Sequence, residues 1–110
     1  MEVRYYKTAS GRQPVKEFVE SFRPPMQEEY FEAVRLLERG EMIPMPTSKP
    51  LTNVQRGLHE LRFKDPSGLY RIFYYIKIKD AIYMLHGFKK KTQKTPQHEL
   101  KVALRRLKEV

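Results

Sequence analysis

The sequence predicts a single α+β domain spanning residues 1–110, with the element order βααβββα. The expected sheet is twisted and mainly antiparallel, accompanied by two N-terminal helices and one C-terminal helix. Three observations carry this reading. Apolar residues recur at helical spacing between Val15 and Leu37, the period shifts toward two from Leu58 to Lys89, and a last apolar stripe follows Thr95-Pro96. A chain of 110 residues supports one modest core and no more.

Glu2 to Tyr6 is a short β-prone opening, ended by the Ser10-Gly11 break. Pro14 suits the first turn of a helix because it has no amide hydrogen to donate, and Val15, Phe18, Val19 and Phe22 give that helix one apolar side. After Pro24-Pro25 a second helix carries Met26, Tyr30, Ala33, Val34 and Leu37, with Gly40 as its stop. The glutamates at 17, 20, 28, 29, 32 and 38 fall mainly away from the stripe and read as a solvated face. Residues 41–50 contain three prolines and no sustained period, which predicts an extended connector. Leu58–Lys64, Leu69–Ile78 and Ile82–Lys89 are the three later strands, separated by a strong turn signal at Asp65-Pro66-Ser67-Gly68 and a weaker one at Lys79-Asp80-Ala81. Thr95 is placed to cap the final helix, with Pro96 at its first position and Leu100, Ala103, Leu104 and Leu107 on its apolar side.

Composition narrows the function. Uninterrupted apolar stretches reach only five residues, at Ile72–Ile76 and Ala81–Leu85, far below the roughly 18 needed to cross a bilayer, so no membrane partner is expected. The first fifteen residues lack the apolar core of a secretory signal, and the cytoplasm is the expected compartment. Without cysteine there is no disulfide, thiolate metal site or thiol nucleophile. Residues 1–55 hold eight basic and eight acidic side chains, whereas residues 56–110 hold fourteen and five. The whole excess of +9 therefore lies in the second half, where it favours a polyanion over a small neutral substrate.

Strand register brings part of that excess together. A loop at 65–68 pairs Lys64 with Leu69, hence Arg62 with Arg71, Glu60 with Phe73 and Leu58 with Tyr75. A three-residue loop at 79–81 pairs Ile78 with Ile82 and sets Lys89 opposite Arg71. Arg62, Arg71 and Lys89 then cross three adjacent strands, with Glu60 and Phe73 beside them. A two-residue turn would instead bring His86 and Phe88 onto that face; the first register is preferred because it separates apolar from charged residues more cleanly. A row of three cations is destabilising unless a carboxylate or a bound anion compensates, and Glu60 neutralises only one. Guanidinium groups give fixed bidentate donors to phosphate and stabilise the added charge of its transition state, while Phe73 or Tyr75 could stack on an unpaired base. The plain alternative is an ordinary half-solvated sheet face.

The run Lys89-Lys90-Lys91-Thr92-Gln93-Lys94 extends the positive field toward the last helix. His59 and His86 share parity with the apolar residues, which makes each a hydrogen-bonded core histidine. No histidine pair has the i, i+4 spacing of a helical metal site, and neither a serine elbow nor a glycine-rich phosphate loop is present, so no metal or cofactor is expected.

The strings Gly57-Leu58-His59-Glu60-Leu61-Arg62, Tyr70-Arg71-Ile72-Phe73-Tyr74, Leu85-His86-Gly87-Phe88-Lys89-Lys90-Lys91 and Lys94-Thr95-Pro96 resemble the phage-derived, HigB-like branch of the RelE/ParE toxin superfamily. The resemblance is close over residues 57–96 and looser over the rest. It implies a RelE-like fold and the toxin of a toxin–antitoxin pair, a metal-independent endoribonuclease that cuts mRNA in the ribosomal A site. Its partner would be a helix-turn-helix, HigA-like antitoxin. It also implies that Arg71 holds the scissile phosphate, Arg62 assists, and Lys89 stabilises or protonates the leaving oxygen. Glu60, Lys64, Lys91 and His86 are all open for the general base, since no tyrosine follows Tyr83 and Thr95 stands near the expected place. The catalytic candidates are thus Arg62, Arg71, Lys89, Glu60 and Lys91, and the RNA-binding candidates Phe73, Lys64, Lys90, Lys94 and Thr95. Two other readings compete: a non-enzymatic inhibitor of a protein target such as gyrase, as in the ParE branch, whose members generally lack this arginine and lysine set, and a non-catalytic RNA-binding module.

Overall fold

A computed structural model describes residues 1–90 and 94–110. Among them lie β1 (Glu2–Tyr5), α1 (Pro14–Glu20), α2 (Pro24–Glu38), β2 (Ser48–Pro50), β3 (Leu58–Asp65), β4 (Gly68–Lys77), β5 (Ala81–Lys90) and α3 (Gln97–Leu107). Pro14 and Pro24 stand in the first turns of α1 and α2, and Gly40 ends α2 at φ 79°, a left-handed conformation that glycine adopts without steric cost. The sheet has the order β1-β5-β4-β3-β2, with β1 parallel to β5 and the other neighbours antiparallel.

The α+β expectation holds, with one strand more than the sequence predicts. The proline-rich connector contributes β2, which pairs Ser48 with Leu61 and Pro50 with His59. Proline is tolerated there because β2 is an edge strand whose outer amides need no partner. Ser48 is buried and shares a 2.7 Å hydrogen bond with the Tyr74 hydroxyl, fastening this edge to the core.

Alternation divides the sheet into two apolar faces. Leu61, Phe63, Ile72, Tyr74, Ile82 and Met84 pack under α1 and α2 against Val15, Val19, Phe22, Met26, Tyr30 and Leu37. Leu58, Phe73, Leu85 and Phe88 face the other way, beneath Ala103, Leu100 and Leu104 of α3.

The β3–β4 hairpin has the expected register, with Arg62 opposite Arg71 and Glu60 opposite Phe73. The β4–β5 hairpin does not. Its turn is one residue earlier, pairing Lys77 with Ala81 and leaving Ile78 exposed, and the register then shifts between Phe73 and Tyr74. Tyr74 pairs with Met84 and Phe73 with His86, so Leu85 is an extra, unpaired residue in β5. Such a bulge reverses which face each following side chain takes. Gly87 then turns toward α1, where a Cβ would stand 2.4 Å from the Phe18 ring, a contact no larger residue could make unshifted.

The bulge also places His86 under α3. Arg106 can only donate, so at 3.4 Å its Nη1 makes His86 Nδ1 the acceptor, and Nε2–H donates to Glu99 Oε1 at 2.8 Å. Arg106 further donates to the Leu85 carbonyl at 2.9 Å, capturing an acceptor freed by the bulge region. His86 is accordingly a half-buried, hydrogen-bonded histidine, as is His59, which meets the Gly57 carbonyl and stacks on Tyr74.

Burial holds both imidazoles below their ordinary range; at His86 the hydrogen bond and charge of Glu99 oppose this, while Arg106 and His98 reinforce it. A folded-state value below the unfolded one means that acid favours the unfolded chain, so this stabilisation is complete above about pH 6.5 and lost as pH falls through the imidazole range. Urea unfolding of wild type should weaken between about pH 7.5 and 5.5, and His86→Gln should show a shallower decline. Equal slopes would mean that the fold does not hold the His86 imidazole below its ordinary range.

Candidate functional site

The charged cluster is built around one carboxylate. Glu60 is 1% exposed, on the α3 side of β3. Its Oε1 accepts from Arg62 Nε at 3.0 Å and lies 3.8 Å from Arg71 Nε, while Oε2 accepts from the Thr95 hydroxyl at 3.0 Å. Lys90 Nζ donates to the same hydroxyl at 3.4 Å. Arg62 is two residues beyond Glu60 on the same strand face, Arg71 is its cross-strand partner, and Lys90 pairs with Leu69 one step along that face.

One anion therefore stands among three cations, two of which are buried, Arg71 at 4% and Lys90 at 7% exposure. Desolvation lowers the proton affinity of both. At Arg71 the Glu60 charge opposes this and Arg62 adds to it; at Lys90 the next cause is Arg71, with Glu60 opposing. Arg71 Nη1 reaches the Tyr70 carbonyl at 3.3 Å, but its Nε is buried with no hydrogen-bond partner among the described residues. An unsatisfied buried donor on a guanidinium costs free energy, which the facing Glu60 carboxylate, 3.8 Å away, offsets only in part. Arg71 opens with Arg62 and Lys64 onto a cleft of about 410 Å³, also lined by Glu29 of α2 and by Pro46 and Thr47.

Three sequence expectations are corrected here. Lys89 does not face Arg71: the bulge turns it to the opposite face, where it pairs with Tyr70 and its Nζ lies 5.4 Å from that ring's centroid. Lys90 takes the vacated place on the Arg71 face. Phe73 has no exposed surface and lies beneath α3, so it offers no face to a base, and Tyr75 packs against the same cluster. Thr95 is likewise not the cap of α3, which starts at Gln97 after Pro96; its hydroxyl is engaged by Glu60 instead. Lys64 and Lys94 are exposed, whereas Lys91 lies outside the described residues. Among the described residues no group of three or more His, Asp or Glu side chains is placed to hold a metal ion. The sequence signal for the Lys90 placement was Gly87, since glycine inside a strand marks a bulge or a close approach.

A family model of phage-derived Gp49-like proteins matches residues 17–108, nearly the whole fold and all of this cluster. The chain belongs to the Gp49-like family. Gp49-like proteins are RelE-type toxins, which places this chain among the toxins of toxin–antitoxin pairs, with an antitoxin as its general partner. The layered α+β architecture agrees with a RelE-like fold. No curated protein matches the chain. No described helix is long and apolar enough to cross a membrane.

Removing the Glu60 charge should leave buried cations opposing one another. Glu60→Gln should lower the unfolding free energy by about 3 kcal/mol in urea titrations, and added inorganic phosphate should restore more stability to the variant than to wild type. A loss below about 1 kcal/mol would show that water screens the cluster despite its burial.

Proposed function

We propose that this Gp49-like toxin is a HigB-like, metal-independent endoribonuclease that cuts mRNA in the ribosomal A site and so inhibits translation in the cytoplasm. The carrying observation is the buried Arg71 guanidinium, unsatisfied at Nε and set beside Arg62 and Lys90 around a single carboxylate. That arrangement has the charge and donor geometry for a phosphodiester. The basic second half of the chain supplies the wider field that draws a polyanion to it.

In the proposed reaction the substrate's 2′-hydroxyl attacks the adjacent phosphorus and gives up its proton to a general base. Arg71 and Arg62 hold the non-bridging oxygens and stabilise the charge that builds on them. The bond to the 5′-oxygen breaks, leaving a 2′,3′-cyclic phosphate and a free 5′-hydroxyl. Lys90 is the proton donor to that oxygen: desolvation and Arg71 make its ammonium more acidic than an exposed lysine, which suits it to release a proton. Glu60 and Thr95 position these cations. Of the described residues open for the base, Glu60 is engaged by Arg62 and Thr95 and His86 by Glu99 and Arg106, while Lys64 lines the cleft with Arg71. A helix-turn-helix, HigA-like antitoxin is the proposed partner that silences the site.

The two adjacent lysines separate this reading from one based on charge alone. On induced expression in a bacterial host with mapping of new mRNA 5′ ends, Arg71→Ala and Lys90→Ala should each reduce in-frame cleavage on the order of a hundredfold. Lys89→Ala should stay within about threefold of wild type, as expected of an exposed side chain away from the site. Growth arrest without new 5′ ends would instead indicate inhibition of a protein target.

A further inference from the structure

We propose that the cleft beside Arg71 is a guanine-reading subsite, in which Glu29 accepts hydrogen bonds from the N1–H and 2-amino groups of the base attached to the bound phosphate. This rests on the phosphate-binding reading of Arg71 and Arg62 and adds a base preference to it.

The cleft, about 410 Å³, has the volume of a small-ligand site. Its two walls differ in chemistry. Arg62, Lys64 and Arg71 line it from the sheet and Glu29 from α2, and Phe63 and Leu69 supply apolar surface. Glu29 also borders two neighbouring clefts of about 260 and 280 Å³, so it stands at the junction of the whole groove. It makes no hydrogen bond or ion pair among the described residues, whereas Glu32, one turn further along α2, is held by Arg35 at 2.7 Å. Sequence pattern places Glu29 on a solvated face; the fold sets it on the cleft that Arg62, Lys64 and Arg71 also line.

Opposed charges fix the direction of a nucleotide in such a cleft. Its phosphate goes to the arginines and away from the carboxylate, which leaves the base edge toward Glu29. A carboxylate only accepts hydrogen bonds. Guanine presents two adjacent donors, N1–H and the 2-amino group, which match its two oxygens. Adenine and cytosine set an acceptor nitrogen beside their amino group, and uracil flanks its single N–H with carbonyls, so each puts a lone pair against one carboxylate oxygen.

Nucleotide binding tests this on the full chain without requiring cleavage. Guanosine, inosine and adenosine 3′-monophosphates are titrated into wild type, Glu29→Gln and Glu29→Ala, with affinities read from amide chemical shifts. Wild type should bind the guanosine nucleotide about tenfold more tightly than the inosine one, which lacks only the 2-amino group, and both variants should lose that ratio. If Glu29 acted only as a nearby negative charge, its removal would strengthen all three nucleotides equally, and that result would overturn the proposal. Equal wild-type affinities for the three would overturn it while leaving the phosphate site intact. Absence of binding by any of them would overturn the phosphate reading as well.

Discussion

The site depends on a carboxylate that is buried and outnumbered. Taking Glu60 out of water is unfavourable unless cations and hydrogen-bond donors replace its solvent, and Arg62, Arg71 and Thr95 do so from three directions. The same residues are then constrained by it. Arg71 is drawn inward until its Nε is closed to water, Thr95 is held down from the loop before α3, and Lys90 reaches the shared hydroxyl. Among the described residues of the cluster Arg62 and Arg71 share the one Glu60 carboxylate, so the sheet side of the cleft is positively charged where it opens.

A single extra residue in β5 decides which lysine takes part. Without the bulge at Leu85, strict alternation would keep Lys89 on the Arg71 face and turn Lys90 toward α1. With it, Leu85 and His86 both serve the α3 face, Gly87 admits the Phe18 ring on the other, and Lys90 arrives beside Arg71. Bulges commonly re-aim side chains next to functional sites, at the expense of regular pairing. Here the lost regularity is compensated by Arg106, which takes the Leu85 carbonyl and links it to His86 and Glu99. The residues that dock α3 and those that form the charged cluster are therefore set by one irregularity in the same strand.

Sequence patterning reached the part of this site that is locally encoded. Asp65-Pro66-Ser67-Gly68 fixes the β3–β4 register, and with it the Arg62–Arg71 and Glu60–Phe73 pairs, because a turn with strong residue preferences leaves no freedom to slip. The β4–β5 register was not legible from its weaker turn, since Ile78 and Ala81 are both apolar and either continues the alternation. Segregating apolar from charged residues favoured Lys89, but that criterion ignored α3, which gives the second face its own apolar layer and hides Phe73 in it. Thr95 was drawn away from helix capping by a partner thirty-five residues earlier, a contact with no local signature. β2 escaped for the opposite reason: Pro50 argues against a central strand, yet an edge tolerates it.

The central claim is that this cluster is held ready for a backbone phosphate of RNA. Its most direct measurement is the Arg71 Nε–H resonance of the isotopically labelled full chain during titration with an RNA oligonucleotide carrying a 2′-deoxy substitution at every nucleotide able to cleave. The account predicts a saturable downfield shift of that resonance, with accompanying backbone shifts at Arg62 and Lys90. An unchanged Arg71 Nε–H, with shifts confined to exposed lysines such as Lys94, would contradict it.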